Sequence, residues 1–321
     1  MPEKLSIVGG MFLISSIFYL IFANNSYGGF TPFGPAKQIA DWTTFPGFAL
    51  AGFLVGFGTK LGNGCTSGHG LCGLSRFSLR SFVAVGIFLM TAIGISTLSF
   101  WVGLGPFVND QDLSPVIHYN NEISAIVFLL VGLILPVIGF FIAKKEADES
   151  FNISKQFTDQ LIVFGVGILF AIGLMLSGMS VRNNILGFLQ INNQWNCGLL
   201  FVLGCGLGVN VITFTVMRRK GTSILGNKVF DPQNSKIDLP LVLGAFCFGL
   251  GWGIGGLCPG PFLVLFPAFT VPIQVLWGVS LVLGMFLAKF VGPKLSPSSE
   301  SAKPTPIESD MVSSQRQPIV L

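Results

Sequence analysis

The sequence predicts an all-α protein, a polytopic membrane helix bundle with inverted pseudo-repeats and broken or re-entrant helices. Three observations lead there. Of 321 residues, 51% are hydrophobic and only 10% are charged, and the mean hydropathy is +0.74, far from the mixed charged surface that a soluble domain needs. Apolar runs long enough to cross a hydrocarbon core of about 30 Å recur along most of the chain, separated by short polar or Gly/Pro-containing stretches. Finally, each half of the chain contains a glycine-rich run that ends in cysteine.

The apolar segments are 5–23, 47–64, 81–104, 123–143, 160–180, 197–217, 240–258 and 262–290. The first begins near Lys4 and lacks Ala-x-Ala cleavage chemistry, so it reads as a retained span rather than a signal peptide. Pro267 and Pro272 predict an interruption in the last. Lys and Arg gather in 76–80, 144–155, 218–236 and after 289, while 105–122 carries neither. The positive-inside rule then puts both termini and the loop 144–159 in the cytoplasm. The formal charge of +4 forms no basic stripe with interleaved aromatics, which argues against a nucleic-acid partner. The expected organisation is one transmembrane domain, 1–295, with halves of about 1–143 and 160–290 joined by a cytoplasmic linker, 144–159. The Ser/Pro-rich stretch 296–321 has little to bury and reads as a disordered tail.

The two glycine runs align. Laying 56–65 over 249–258 superposes glycine at 56/249, 58/251 and 62/255, then Cys65 on Cys258. Ser81 then corresponds to Gln274, while Phe262 and Leu265 stand opposite His69 and Cys72. With the topology above, the copies cross the membrane in opposite directions, the arrangement many transporters use to build a midplane site. A plainer reading stands beside it. The pairs Gly52/Gly56, Gly58/Gly62 and Gly251/Gly255 have the spacing that lets helices approach closely.

Residues 62–81, GNGCTSGHGLCGLSRFSLRS, carry the most chemistry. Four glycines within ten positions disfavour a continuous helix, each costing roughly 1 kcal/mol relative to Ala. A break in the bilayer is tolerated only where protein, water or ligand satisfies the backbone. SLRSFVAVGIF is expected to start the next helix, with N–H groups and a dipole that favour an anion. CPGP at 258–261 repeats the logic, because Pro259 and Pro261 stop one helix and suit the first turn of another. Cys65, Cys72, Cys197, Cys205, Cys247 and Cys258 all lie in apolar or glycine-rich sequence and predict no disulfide scaffold. With only His69 and His118 beside them and no Cys-x-x-Cys, neither a metal site nor a cofactor is expected.

These stretches, GCTSGHGLCGLSRFSLRS and GAFCFGLGWGIGGLCPGP, resemble the paired signatures of the YeeE/YedE sulfur-transport family. SGMSVRNNILGFL at 177–189, with Trp195 and the glycines of 204–208, is similar to the start of that family's second half. The resemblance spans about 47–288. It implies a thiosulfate uptake carrier built as a pseudo-symmetric, hourglass-like bundle, with Cys65 and Cys258 as pathway cysteines and both family halves fused in one chain.

The residues suit that chemistry. Thiosulfate is a dianion with one soft terminal sulfur, which a cysteine S–H can meet as a weak donor. Partial charge from helix ends would permit release where a fixed lysine would hold the anion, and no charged residue lies between Gly62 and Ser75. Gly64, Thr66, Ser67, Gly256 and Gly260 flank the cysteines and complete the candidate substrate-binding set with His69 and Cys72. For His69 two readings are open, a hydrogen bond to the anion or orientation of the loop. Cys72 is a second relay point or a packing residue. Cys197, Cys205 and Cys247 read as small hydrophobes, and Lys60, Arg76 and Arg80 as interface markers. Ser177, Gly178 and Met179 suggest a third break facing the first. The competing function is a membrane sulfur-relay enzyme that passes sulfane sulfur as a cysteine persulfide to a cytoplasmic sulfurtransferase. Such an enzyme needs an activating base, and only His69 is near. GFGTKLGNG lacks a nucleotide-binding ending, so the expected partners are a small sulfur-containing anion and the lipid bilayer.

Overall fold

The computed structural model describes residues 2–22, 45–102, 122–146, 153–192, 195–220, 236–266 and 271–295. The loops 24–44 and 105–121, His118, Pro267, residues 147–152 and 221–235, and the stretch 296–321 lie outside the described residues.

Apolar runs become helices because a backbone in hydrocarbon must satisfy its own N–H and C=O groups. In chain order they are α1 (Pro2–Phe22), α2 (Phe45–Leu61), a π-helical segment (Thr66–Gly73), α3 (Leu79–Trp101), α4 (Glu122–Glu146) and α5 (Ile153–Leu176). They continue with α6 (Arg182–Leu189), α7 (Gly198–Lys220), α8 (Leu239–Gly255), α9 (Pro259–Leu265) and α10 (Val271–Leu295). The protein is thus an all-α, polytopic membrane bundle. Among the described residues, seven helical stretches are long and apolar enough to span a membrane, α8 and α9 forming one of them, and α2 is a shorter apolar helix. The expected segment 262–290 is divided: α9 ends at Leu265, and Pro272 falls in the first turn of a separate α10. Helices also take up much of 144–159, since α4 runs to Glu146 and α5 starts at Ile153.

The α2 helix lies at the centre, packed along α10 and α8, and α8 in turn packs on α3. Apolar surface drives little association in lipid, so close backbone approach does the work instead. A Cβ on Gly56 would run into the Leu281 carbonyl oxygen, and one on Gly58 would stand 2.5 Å from that of Gly244. The glycine pairs of α2 are therefore packing sites. Contacts run Gly52 to Trp277 and Gly56 to Leu281, so α2 and α10 are parallel. They run Gly58 to Phe248 and Val55 to Gly251, so α2 and α8 are antiparallel. Phe88 meets Gly249 and Ala92 meets Gly253, making α3 and α8 parallel. A second group, α1 with α4 and α5, closes by the same means at Gly9, Gly132 and Gly167 and reaches the first through α9. Arg80 at the start of α3 pairs with Asp238, the N-cap of α8, at 3.1 Å.

Candidate functional site

Both cysteine-bearing breaks have one local design. Helix α2 ends, Asn63 turns left-handed at φ 57, and Cys65 comes next in extended conformation as the N-cap of the π-helical segment. Helix α8 ends, Gly256 turns left-handed at φ 61, and Cys258 comes next in extended conformation as the N-cap of α9. Asn63 and Gly256 are partners in the sequence repeat, and Asn and Gly are the residues that visit this conformation most readily. The Gly256 N–H donates to the Trp252 carbonyl at 2.8 Å, closing α8.

The two breaks meet. Thr66 Oγ1 lies 3.5 Å from Cys258 Sγ, 192 residues away in sequence, within hydrogen-bond range for sulfur. Cys65 Sγ lies 3.2 Å from Ser67 Oγ. Cys258 is buried in the main core, and half-buried Cys65 and Met179 pack against that same core. Met179 belongs to the turn between α5 and α6, where Gly178 has φ 71 and its carbonyl accepts from Asn184 Nδ2 at 3.1 Å. The suggested third break thus exists, and its methionine lines one cavity with Thr66.

Helix α3 starts after Ser78 as expected, but at the first break it is not the helix next to Cys65. The helix that begins after Cys65 is the π-helical segment rather than α3, with the Leu74 N–H donating to the His69 carbonyl five residues back. The start of α3 lies instead beside Asp238, and its Leu79 is exposed. The N–H groups of α3 are therefore not those nearest Cys65. Extra width in a π-turn often marks a functional position.

His69 forms a latch between two helices. Its Nε2 donates to the Gly62 carbonyl at 3.2 Å and its Nδ1 lies 3.1 Å from Ser81 Oγ, tying the end of α2 to the first turn of α3. Because a carbonyl only accepts, Nε2 carries the proton and Nδ1 can accept from the serine hydroxyl. Gly64 makes this seat possible, since a Cβ there would stand 2.5 Å from the imidazole. The Cys72 carbonyl accepts from Ser75 Oγ and Arg76 Nε, and its thiol is half-buried. Gly260 has room for a Cβ in ordinary contact with Phe170 and Leu174 of α5. Opposite His69 and Cys72 in the repeat, Phe262 and Leu265 are core, with Phe262 packed on Trp277 at 4.3 Å.

Sequence reasoning missed two groups beside the second break. Arg182 is buried, and its Nε donates to the Gly255 carbonyl at 2.7 Å. Trp252, one turn before Gly256, keeps a buried indole N–H with no hydrogen-bond partner among the described residues. A lone arginine between Gly178 and the apolar ILGFL was the available signal for the first. For Trp252 there was none.

Apolar helices interrupted at cysteine-capped turns define an integral, multi-pass membrane protein whose polar chemistry is concentrated where helices break. Residues 33–95 match the model of the sulphur transport family, and residues 159–296 match a family of unknown function, DUF6691. A "Probable transporter" of Xylella fastidiosa strain 9a5c is 34% identical over 139 residues, 43% of this chain and 92% of that protein. Another from strain Temecula1 is 40% identical over 101 residues, covering 31% and 68%, and a further one from that strain is 52% identical over 63 residues, covering 20% and 45%. No solved structure matches the chain. The chain belongs to the YeeE/YedE sulfur-transport family.

Proposed function

We propose that the protein is a membrane transporter carrying thiosulfate, or a closely related small sulfur-containing anion, past Cys65 and Cys258. The carrying observation is the contact of Thr66 with Cys258, which joins two breaks of identical design. Each thiol sits at a helix interruption, where backbone groups freed from the ladder need a partner. The S–H groups are suited to the substrate's sulfur, and Arg182 and the Trp252 indole add positive potential and a donor for its oxygens. The antiparallel α2/α8 pair, flanked by the parallel pairs α2/α10 and α3/α8, supports reading the halves as inverted repeats, and the distribution of Lys and Arg supports both termini in the cytoplasm.

The relay-enzyme alternative fits less well. Cys258 is 3% exposed and its neighbour is a threonine hydroxyl. Both ring nitrogens of His69 are engaged by Ser81 and Gly62, so His69 is not available as a base for Cys65. A cytoplasmic sulfurtransferase then enters as a consumer of the delivered anion. Radiolabelled thiosulfate uptake into vesicles containing only this protein tests the reading. Uptake above protein-free vesicles is expected; no uptake, with a persulfide found on Cys65 or Cys258, would favour the relay.

A further inference from the structure

The helices of each half find their partners mostly in the other half. Helices α2 and α3 belong to the first half and share little contact with one another, yet both pack along α8 of the second. Helices α8 and α10 of the second half barely touch, and each packs along α2. Close backbone approach follows the same division. A Cβ on Gly56 would strike Leu281, one on Gly251 would strike Ala51, one on Gly249 would strike Phe88 and one on Gly10 would strike Phe164, each time at a backbone atom across the division. Among the described residues, only Gly9 and Gly132, which join α1 to α4, meet the backbone of another helix so closely within one half. Polar ties cross as well: Arg80 pairs with Asp238 at 3.1 Å, Asn210 Nδ2 donates to the Leu71 carbonyl at 3.5 Å, and Thr97 Oγ1 donates to the Leu189 carbonyl at 3.3 Å. By contrast α4 and α5, the helices on either side of residues 147–152, pack little on each other.

We propose that the halves are complementary subunits carried on one chain: residues 1–146 form a surface whose partner is the segment from Ile153 onward, accepted in cis here and equally well in trans. In lipid, association rests on close packing and hydrogen bonds rather than on exclusion of water, and here those contacts lie across the division. A covalent connection then adds only effective concentration. The size of one relative agrees. The Xylella fastidiosa strain 9a5c protein is 92% covered by 139 matched residues, so it is less than half as long as this 321-residue chain and has room for one half. The partner is the second half rather than another copy of the first. In the repeat register Phe45 stands where the second half has Asp238, so a second copy of the first half offers Arg80 no carboxylate at that place. The thiols divide in the same way. Thr66 and Cys65 come from one half and Cys258 from the other, so neither half alone holds the contact between the breaks. The complementarity holds whichever anion is carried, and its test does not involve transport.

The test starts from the full-length protein with a specific protease site inserted between Asp148 and Glu149 and an affinity tag at the N-terminus. After purification in detergent and complete cleavage, the tagged first half is expected to retain the second in equal amount. Encoding 1–148 and 149–321 as two chains expressed together should give the same complex. Gly56→Leu, which presses on the α10 backbone, should lower retention in the two-chain protein at least about tenfold. Gly86→Leu, at a glycine whose Cβ meets nothing within 4 Å, should leave it unchanged. If Gly56→Leu does not accumulate, the unaltered two-chain protein decides the matter. Separation of the fragments on cleavage, a co-expressed first half that retains no second half or only copies of itself, or full retention by Gly56→Leu would overturn the proposal.

Discussion

Gly256 is the position where the second break is most exposed to a single change. Alanine there meets two penalties. Holding a residue with a Cβ at φ 61 costs about 1–2 kcal/mol. The new Cβ would also lie 2.6 Å from Leu186 Cγ and 3.1 Å from Arg182 Cγ, both on buried α6 side chains, and overpacking of that kind costs typically about 1–3 kcal/mol. Together these give roughly 2–5 kcal/mol for Gly256→Ala. Two comparisons isolate the cause. Gly260→Ala, whose Cβ has its nearest neighbour at 3.6 Å, should change stability by less than about 1 kcal/mol. Asn63→Gly keeps the left-handed turn of the first break and should also stay within about 1 kcal/mol. Equilibrium unfolding in mixed micelles reads the stabilities, and thiosulfate uptake into vesicles should fall with Gly256→Ala because Cys258 is displaced. Equal stability and uptake for Gly256→Ala and Gly260→Ala would refute the argued role of the left-handed turn.

Breaking the His69 latch should cost about 1–3 kcal/mol, since a buried partner is left unsatisfied; Ser81→Ala and His69→Gln should be non-additive in a double-mutant cycle, and strict additivity would mean they do not act together. Arg182→Gln, which can still donate to the Gly255 carbonyl, should raise the half-saturation concentration for thiosulfate with the protein folded, and an unchanged value would remove Arg182 from anion recognition. For topology, Ser150→Cys should be protected from an impermeant thiol reagent applied outside and Asp112→Cys modified; the reverse pattern contradicts the orientation.

Much of this arrangement was legible in the sequence because the bilayer imposes it. Long apolar runs such as 81–104 have little choice but to be helices. The breaks were legible because glycine and proline cluster there, and the pairing of Cys65 with Cys258 came from the glycine register. The segment after Cys65 was harder to read, since a π-turn and the first turn of an α-helix draw on the same residues. The latch by His69 depends on Ser81 and Gly62 arriving together, a tertiary fact that local spacing does not encode. Arg182 was not singled out because sequence shows the sign of a residue but not its depth. The buried Trp252 indole had no counterpart in composition at all.

The central proposal is that both cysteine sulfurs take part in moving the anion. Serine at either position retains a hydroxyl of nearly the same volume and removes the soft sulfur. Vesicles reconstituted with equal amounts of unaltered protein, Cys65→Ser, Cys258→Ser or the double variant, and assayed for initial rates of radiolabelled thiosulfate uptake, give the most direct test. Each single variant is expected to transport far more slowly with its melting temperature preserved, and the double variant no faster than either; a folded double variant that carries thiosulfate at the unaltered rate would contradict the proposal.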